Sequence, residues 1–118
     1  MLNNNYVCII GGAGHVGAPL GIALSSKGYK VILIDKNKKN IQKINSGKMP
    51  FIEEGCGRVL KKMILKEKIF ATENLKEVTK CKYVIICLGT PVNKNFNPDL
   101  KNFINFFYKL KSYLKKNI

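Results

Sequence analysis

Gly12-Ala13-Gly14-His15-Val16-Gly17 is a GxGxxG sequence, and its neighbours constrain the chain more than its glycines do. Immediately before it runs Tyr6-Val7-Cys8-Ile9-Ile10, a nearly unbroken apolar run that stops at Gly11. Such a run reads as a strand buried on both faces. Behind the motif, residues 14–27 read as a helix, with Val16, Leu20, Ala23 and Leu24 on one side and Gly28 as its stop. A second apolar strand, residues 31–35, ends in Asp35, 18 positions past Gly17. Strand, glycine turn, helix, strand and terminal carboxylate are the context that turns a weak glycine signal into a dinucleotide-binding expectation.

Each residue type has a physical reason to be there. Gly12 permits the tight strand-to-helix turn. Gly14, lacking a Cβ, lets a pyrophosphate approach the backbone, and Gly17 lets the helix pack closely on the strand. The N–H groups of residues 14–17, His15 and Val16 among them, are expected to face the phosphates, aided by the helix dipole. Asp35 would accept hydrogen bonds from ribose hydroxyls, and its charge disfavours a 2′-phosphate, which favours NAD over NADP. Lys36, Lys38 and Lys39 stand close by, and a lysine could pair with that phosphate. Asp35 can also be read as a helix N-cap, and His15 as a loop side chain with no catalytic part.

The rest of the chain continues the alternation. Residues 38–45 predict a short polar helix, with Ile41 and Ile44 as its apolar stripe. A loop over residues 48–57 follows, and Val59, Leu60, Met63 and Ile64 mark the next helical face. Residues 69–72 predict a brief third strand and residues 73–79 a short helix. Residues 83–88 are the strongest strand, ending at Leu88-Gly89-Thr90-Pro91. Asn97, Pro98 and Asp99 give a clean helix start. Leu100, Phe103, Ile104, Phe107, Leu110 and Leu114 then recur at helical spacing. Strands alternating with helices imply an α/β fold of the Rossmann type, expected to be incomplete and to hold the N-terminal portion of the domain: a parallel sheet with helices on both faces and about four strands in the order 3-2-1-4. Gly89 and Thr90 then lie at the sheet edge where such folds bind ligands, beside the switch between strands 1 and 4. An ordinary turn after a strand would read the same way.

Composition excludes several alternatives. The 118 residues allow one domain, residues 1–118, and 46% hydrophobic content supports a core. No apolar run approaches the roughly 18 residues of a membrane span, and the first five residues lack the basic start of a secretory signal. Net charge is +14, from 21 basic against 7 acidic residues, yet all the basic residues but Arg58 are lysines and they are spread along the chain. That pattern argues for a solvated surface rather than a nucleic-acid stripe. Cys8, Cys56, Cys81 and Cys87 form no CxxC pair, and His15 is the one histidine. No metal is expected, and a reduced, cytoplasmic protein is the default. Cys8 and Cys87, placed in buried strands, read as inert small hydrophobes. Adjacent Glu53 and Glu54 do not make a facing acid–base pair.

Beyond the glycine motif, an ordered set of segments runs along the chain: Ala18-Pro19-Leu20 directly after the motif, Asp35-Lys36-Asn37, Asn45-Ser46-Gly47-Lys48-Met49-Pro50-Phe51-Ile52-Glu53, Gly89-Thr90-Pro91-Val92 and Asn97-Pro98-Asp99. This set resembles the N-terminal NAD-binding domain of the nucleotide-sugar 6-dehydrogenases, which act on UDP-glucose, UDP-N-acetylmannosamine or GDP-mannose. The resemblance covers essentially the whole chain. It implies NAD as cofactor and, in the full enzyme, a two-step oxidation of a sugar C6 alcohol to a uronic acid. It places the glycine loop, Asp35 and Thr90 at cofactor-contacting positions. Glu53-Glu54-Gly55-Cys56 stands where the family has Glu-Pro-Gly-Leu. The nucleophilic cysteine motif and the sugar-binding parts of that family have no counterpart here. The expectation is therefore a chain that binds NAD but does not catalyse alone, with the nucleotide sugar met only in a full-length enzyme. A fourth strand left as an edge implies self-association or a homo-oligomer. Two other readings stand beside it: a free-standing dinucleotide-sensing module, and the first domain of a related hydroxyacid or hydroxyacyl-CoA dehydrogenase. The long loop around Met49 and the Gly-Thr-Pro-Val segment favour the first reading over the last.

Overall fold

The computed structural model describes residues 6–89 and 100–114. Within them the apolar runs form β1 (Tyr6–Ile10), β2 (Lys30–Ile34), β3 (Ile69–Thr72) and β4 (Cys81–Ile86). Every pairing is parallel, and the sheet order is β3-β2-β1-β4. The connections are α1 (Gly17–Ser26), α2 (Lys38–Asn45), α3 (Cys56–Leu65) and a 3-10 segment (Leu75–Lys80), and α4 (Leu100–Lys111) closes the described chain. Thr90 and the Asn97-Pro98-Asp99 helix start lie outside the described residues.

Alternation along β1 and β2 divides the core in two. Val7, Ile9, Val31 and Leu33 point to one face and pack with Ala18, Ile22, Ile44, Leu60 and Met63. Cys8, Ile10, Ile32 and Ile34 point to the other and pack with Val78, Cys81 and Leu110. The two central strands are thus covered on both sides, which is why they read as continuous apolar runs. Each fully buried Ile or Leu contributes about 1.5–3 kcal/mol.

Five local expectations need correction. Helix α1 begins at Gly17, not at residue 14, because residues 14–16 belong to the turn. Its buried side is Gly17, Ala18, Gly21, Ile22 and Ser25, whereas Ala23 is exposed and Val16 is 69% exposed. The cause is close packing: a Cβ at Gly21 would run into the Leu33 side chain. Small residues therefore face the sheet, and Leu20 and Leu24 flank the contact. The 73–79 helix is a 3-10 segment, started by Asn74, whose side chain accepts from the Lys76 N–H at 3.1 Å. Cys87 is only half-buried, because β4 is the outer strand and ends at Ile86. On α4 the inward side is Phe103, Phe106, Phe107 and Leu110, with Tyr113 half-buried just past its end, while Leu100, Ile104 and, beyond the helix, Leu114 are exposed. Among the described residues no helix is long and apolar enough to cross a membrane.

Candidate dinucleotide site

The turn after β1 is built on β2. The N–H groups of Gly11 and Gly12 both donate to the Ile34 carbonyl, at 2.8 and 3.0 Å. Gly11 has φ +81°. A side chain there would overlap the Cys87 carbonyl as well, so the residue answers both to the backbone and to the approach of β4. The next residue, Ala13, is buried, and both its backbone polar groups are satisfied by side chains from the far side of β2. Its N–H donates to Asp35 Oδ2 at 2.9 Å, and its carbonyl accepts from Asn40 Nδ2 at 3.2 Å.

Asp35 is therefore not the N-cap of α2. That role falls to Asn37, whose Oδ1 accepts from the Asn40 N–H at 3.0 Å. Asp35 instead anchors the turn through Ala13 and accepts the Asn37 N–H on Oδ1 at 3.0 Å. Each carboxylate oxygen has two lone pairs, so capacity for ribose hydroxyls remains.

The phosphate-facing N–H set is smaller than the sequence suggests. Gly14 donates inward to the Gly11 carbonyl at 3.2 Å. Among the described residues, the N–H groups of His15, Val16 and Gly17 have no partner. They stand at the positive end of α1, an arrangement that suits an anion. Space beside Gly14 fits the same ligand. Among the described residues, a Cβ there would touch only the Gly11 carbonyl oxygen, at an ordinary 3.5 Å. Nothing among the described residues requires a glycine at this position, which leaves room for a group to lie against the turn. At Gly17 the reverse holds, because a Cβ would overlap the Gly11 carbonyl.

A cavity of about 610 Å³ opens at the C-terminal ends of the strands, where the sheet order reverses between β1 and β4. It gathers Gly11, Asp35, Lys36, Leu88 and Gly89 from three separate connections. Volumes of this order are ordinary for small-molecule sites. Sequence reading missed its other wall, where Leu75, Phe103, Phe106 and Lys109 also line the space. Helical spacing marked Phe103 as apolar but could not say what its side would meet. Lys38 points elsewhere, to an exposed pairing with Glu73 at 3.9 Å. His15 is exposed, and its ring stacks on Phe51 with centroids 4.2 Å apart and planes 19° apart. Nothing in the spacing of the sequence signals that contact. Among the described residues no cluster of His, Cys, Asp and Glu could hold a metal ion.

Comparison with known proteins agrees with this geometry. Residues 5–118 match the NAD-binding domain of the UDP-glucose/GDP-mannose dehydrogenase family. GDP-mannose 6-dehydrogenase of Pseudomonas syringae pv. syringae is 36% identical over 90 residues, covering 75% of this chain and 20% of that protein. The crystal structure of GDP-mannose dehydrogenase from Pseudomonas aeruginosa superposes with a TM-score of 0.82 at 30% identity, over 93% of this chain and 25% of that one. UDP-D-ManNAc dehydrogenase from Pyrococcus horikoshii gives a TM-score of 0.82 at 28% identity, over 95% of this chain and 26% of the other. The chain thus spans a fifth to a quarter of these relatives. A turn anchored by a carboxylate, an open cradle at Gly14 and a family match across residues 5–118 lead to one assignment: the chain belongs to the UDP-glucose/GDP-mannose dehydrogenase family, as its NAD-binding domain.

Proposed function

We propose that this chain is the NAD-binding portion of an enzyme that oxidises the C6 alcohol of a nucleotide sugar to a carboxylate. The observation that carries the reading is the open space beside Gly14, bordered by the unpartnered N–H groups of His15, Val16 and Gly17. Those three groups would hold the pyrophosphate, and Gly14 would let it lie against the backbone. Asp35 would accept the adenosine ribose hydroxyls while keeping its grip on Ala13. Lys36 would flank that ribose, Leu88 and Gly89 would line the β4 side of the cofactor path, and Thr90 is proposed to contact the cofactor from the sequence alone. NAD supplies the hydride acceptor when bound. The chain's own part is to bind and orient it; the sugar would be brought by the remainder of a full-length enzyme. The four cysteines are free, which fits a reducing cytoplasmic setting.

Titration calorimetry with NAD and NADP tests this reading. NAD is expected to bind more tightly, because the Asp35 carboxylate repels a 2′-phosphate. Asp35→Ala should weaken NAD by about 1–3 kcal/mol, the scale for losing charge-assisted hydrogen bonds. Tighter NADP binding would mean that Lys36 outweighs Asp35. No binding of either would overturn the reading itself.

A further inference from the structure

We propose that Phe51 and His15 form a latch, closing the connection between α2 and α3 onto the phosphate-binding turn. This makes Phe51 a positioning residue for the pyrophosphate half of the dinucleotide, and it rests on the NAD reading above. The connection, residues 46–55, is bounded by two glycines in the left-handed region, Gly47 at φ +83° and Gly55 at φ +82°. Among the described residues, a Cβ on Gly55 would meet nothing within 4 Å, so this glycine serves backbone freedom rather than packing. Between these two points Met49 and Phe51 lean on the core that α1 and α3 share, while Ile52 next to Phe51 is wholly exposed. The segment therefore has two pivots and one apolar foothold. Its reach to the cofactor turn is the stack of the Phe51 ring on the His15 imidazole, at 4.2 Å and 19°.

His15 is the residue through which the latch acts. Its N–H is one of the three unpartnered groups at the start of α1. No side-chain hydrogen bond holds its imidazole among the described residues, so the Phe51 ring is the contact that fixes it. A ring fixed on one side limits the rotation of its own backbone, and with it the direction of the N–H offered to a phosphate. An ordered donor loses less freedom when the ligand arrives, which raises affinity without a new contact.

A double-mutant cycle decides the matter. NAD affinity is measured by calorimetry for the wild type, His15→Ala, Phe51→Ala and the double variant. The expected result is about a 3- to 10-fold loss for each single change, the range of an aromatic pair. The double variant should lose no more than either one, because both remove the same contact. Phe51→Tyr should restore wild-type affinity, and Phe51→Leu, which keeps apolar bulk without the stack, should not. Trypsin cleavage at Lys48 reads the latch directly: NAD should protect that bond in the wild type and not in Phe51→Leu. Additive losses, unchanged affinity in Phe51→Leu, or equal protection in both proteins would overturn the latch while leaving NAD binding in place. A wild type that binds no NAD would overturn both readings. Should Phe51→Ala fail to fold, Phe51→Leu and Phe51→Tyr carry the same comparison.

Discussion

Gly14 and Gly17 look interchangeable in the motif, yet the structure gives them different reasons to lack a side chain. At Gly17 a Cβ would overlap the Gly11 carbonyl, so Gly17→Ala should lower stability by about 1–3 kcal/mol, the usual cost of overpacking. At Gly14 the nearest atom to a Cβ is 3.5 Å away, so Gly14→Ala should leave stability within about 0.5 kcal/mol. Its effect should fall on NAD instead, with a loss of about tenfold or more, and Gly14→Val should abolish binding while the helical circular-dichroism signal persists. Melting temperature and calorimetry on the same three variants separate these outcomes. A Gly14→Ala protein that binds NAD normally would reduce the glycine to a turn former. The motif's presence was legible from residue types alone. How its glycines divide the work was not, because that depends on which atoms lie opposite each absent Cβ.

Between elements, the contact of β1 with β4 carries a titratable pair. The register of these strands is irregular, with Tyr6 opposite Cys81 and Val7 opposite Tyr83. Cys8 and Cys81 are buried on the same face of the sheet. The hydrogen bond with Cys81, and then burial, push the Cys8 thiol far above the usual range, while the same bond from Cys8 holds Cys81 down. Cys8 thus keeps a proton that the unfolded chain releases in the ordinary thiol range. Its contribution to stability is full below that range and is lost as pH rises through it, while the lowered Cys81 acts in the opposite sense below that range. Thermal unfolding in reductant from pH 8 to 10 should therefore show a steeper fall for the wild type than for Cys8→Val, and equal slopes would remove Cys8 from the account. Cysteine in a strand reads from sequence as a small hydrophobe, and that Cys8 and Cys81 share one face depends on the pairing of β1 with β4, which neither residue announces. The strands themselves were legible, since a strand covered on both faces must be apolar throughout. The inward side of α1 was not: periodicity ranks Val16 and Leu20 above Gly21, whereas the close approach to Leu33 selects the glycine.

For the whole molecule, the two edges of the sheet differ in what covers them among the described residues. At β3 the Asn45 side chain stands in for a neighbouring strand. Its Nδ2 donates to the Ala71 carbonyl and its Oδ1 accepts the Ala71 N–H, both at 2.8 Å. No strand covers β4 on its outer side among the described residues. Its Tyr83 is 52% exposed and Ile86 40% exposed, and a groove of about 610 Å³ lined by Leu24, Tyr29, Ile85 and Leu110 runs beside them. An apolar edge with free N–H and C=O groups is a template for another strand. We expect it to pair with β4 of a second copy, against the repulsion of two chains each carrying +14. Light scattering across a wide concentration range should then show dimers that strengthen in about 1 M salt, where charges are screened beyond roughly 3 Å. Tyr83→Lys should return the chain to a monomer, because a charge on an edge strand opposes pairing. Asn45→Ala, which unseals β3, should add larger assemblies to the dimer. A wild-type chain that stays monomeric at high salt and high concentration would show that the β4 edge does not pair, whatever its composition.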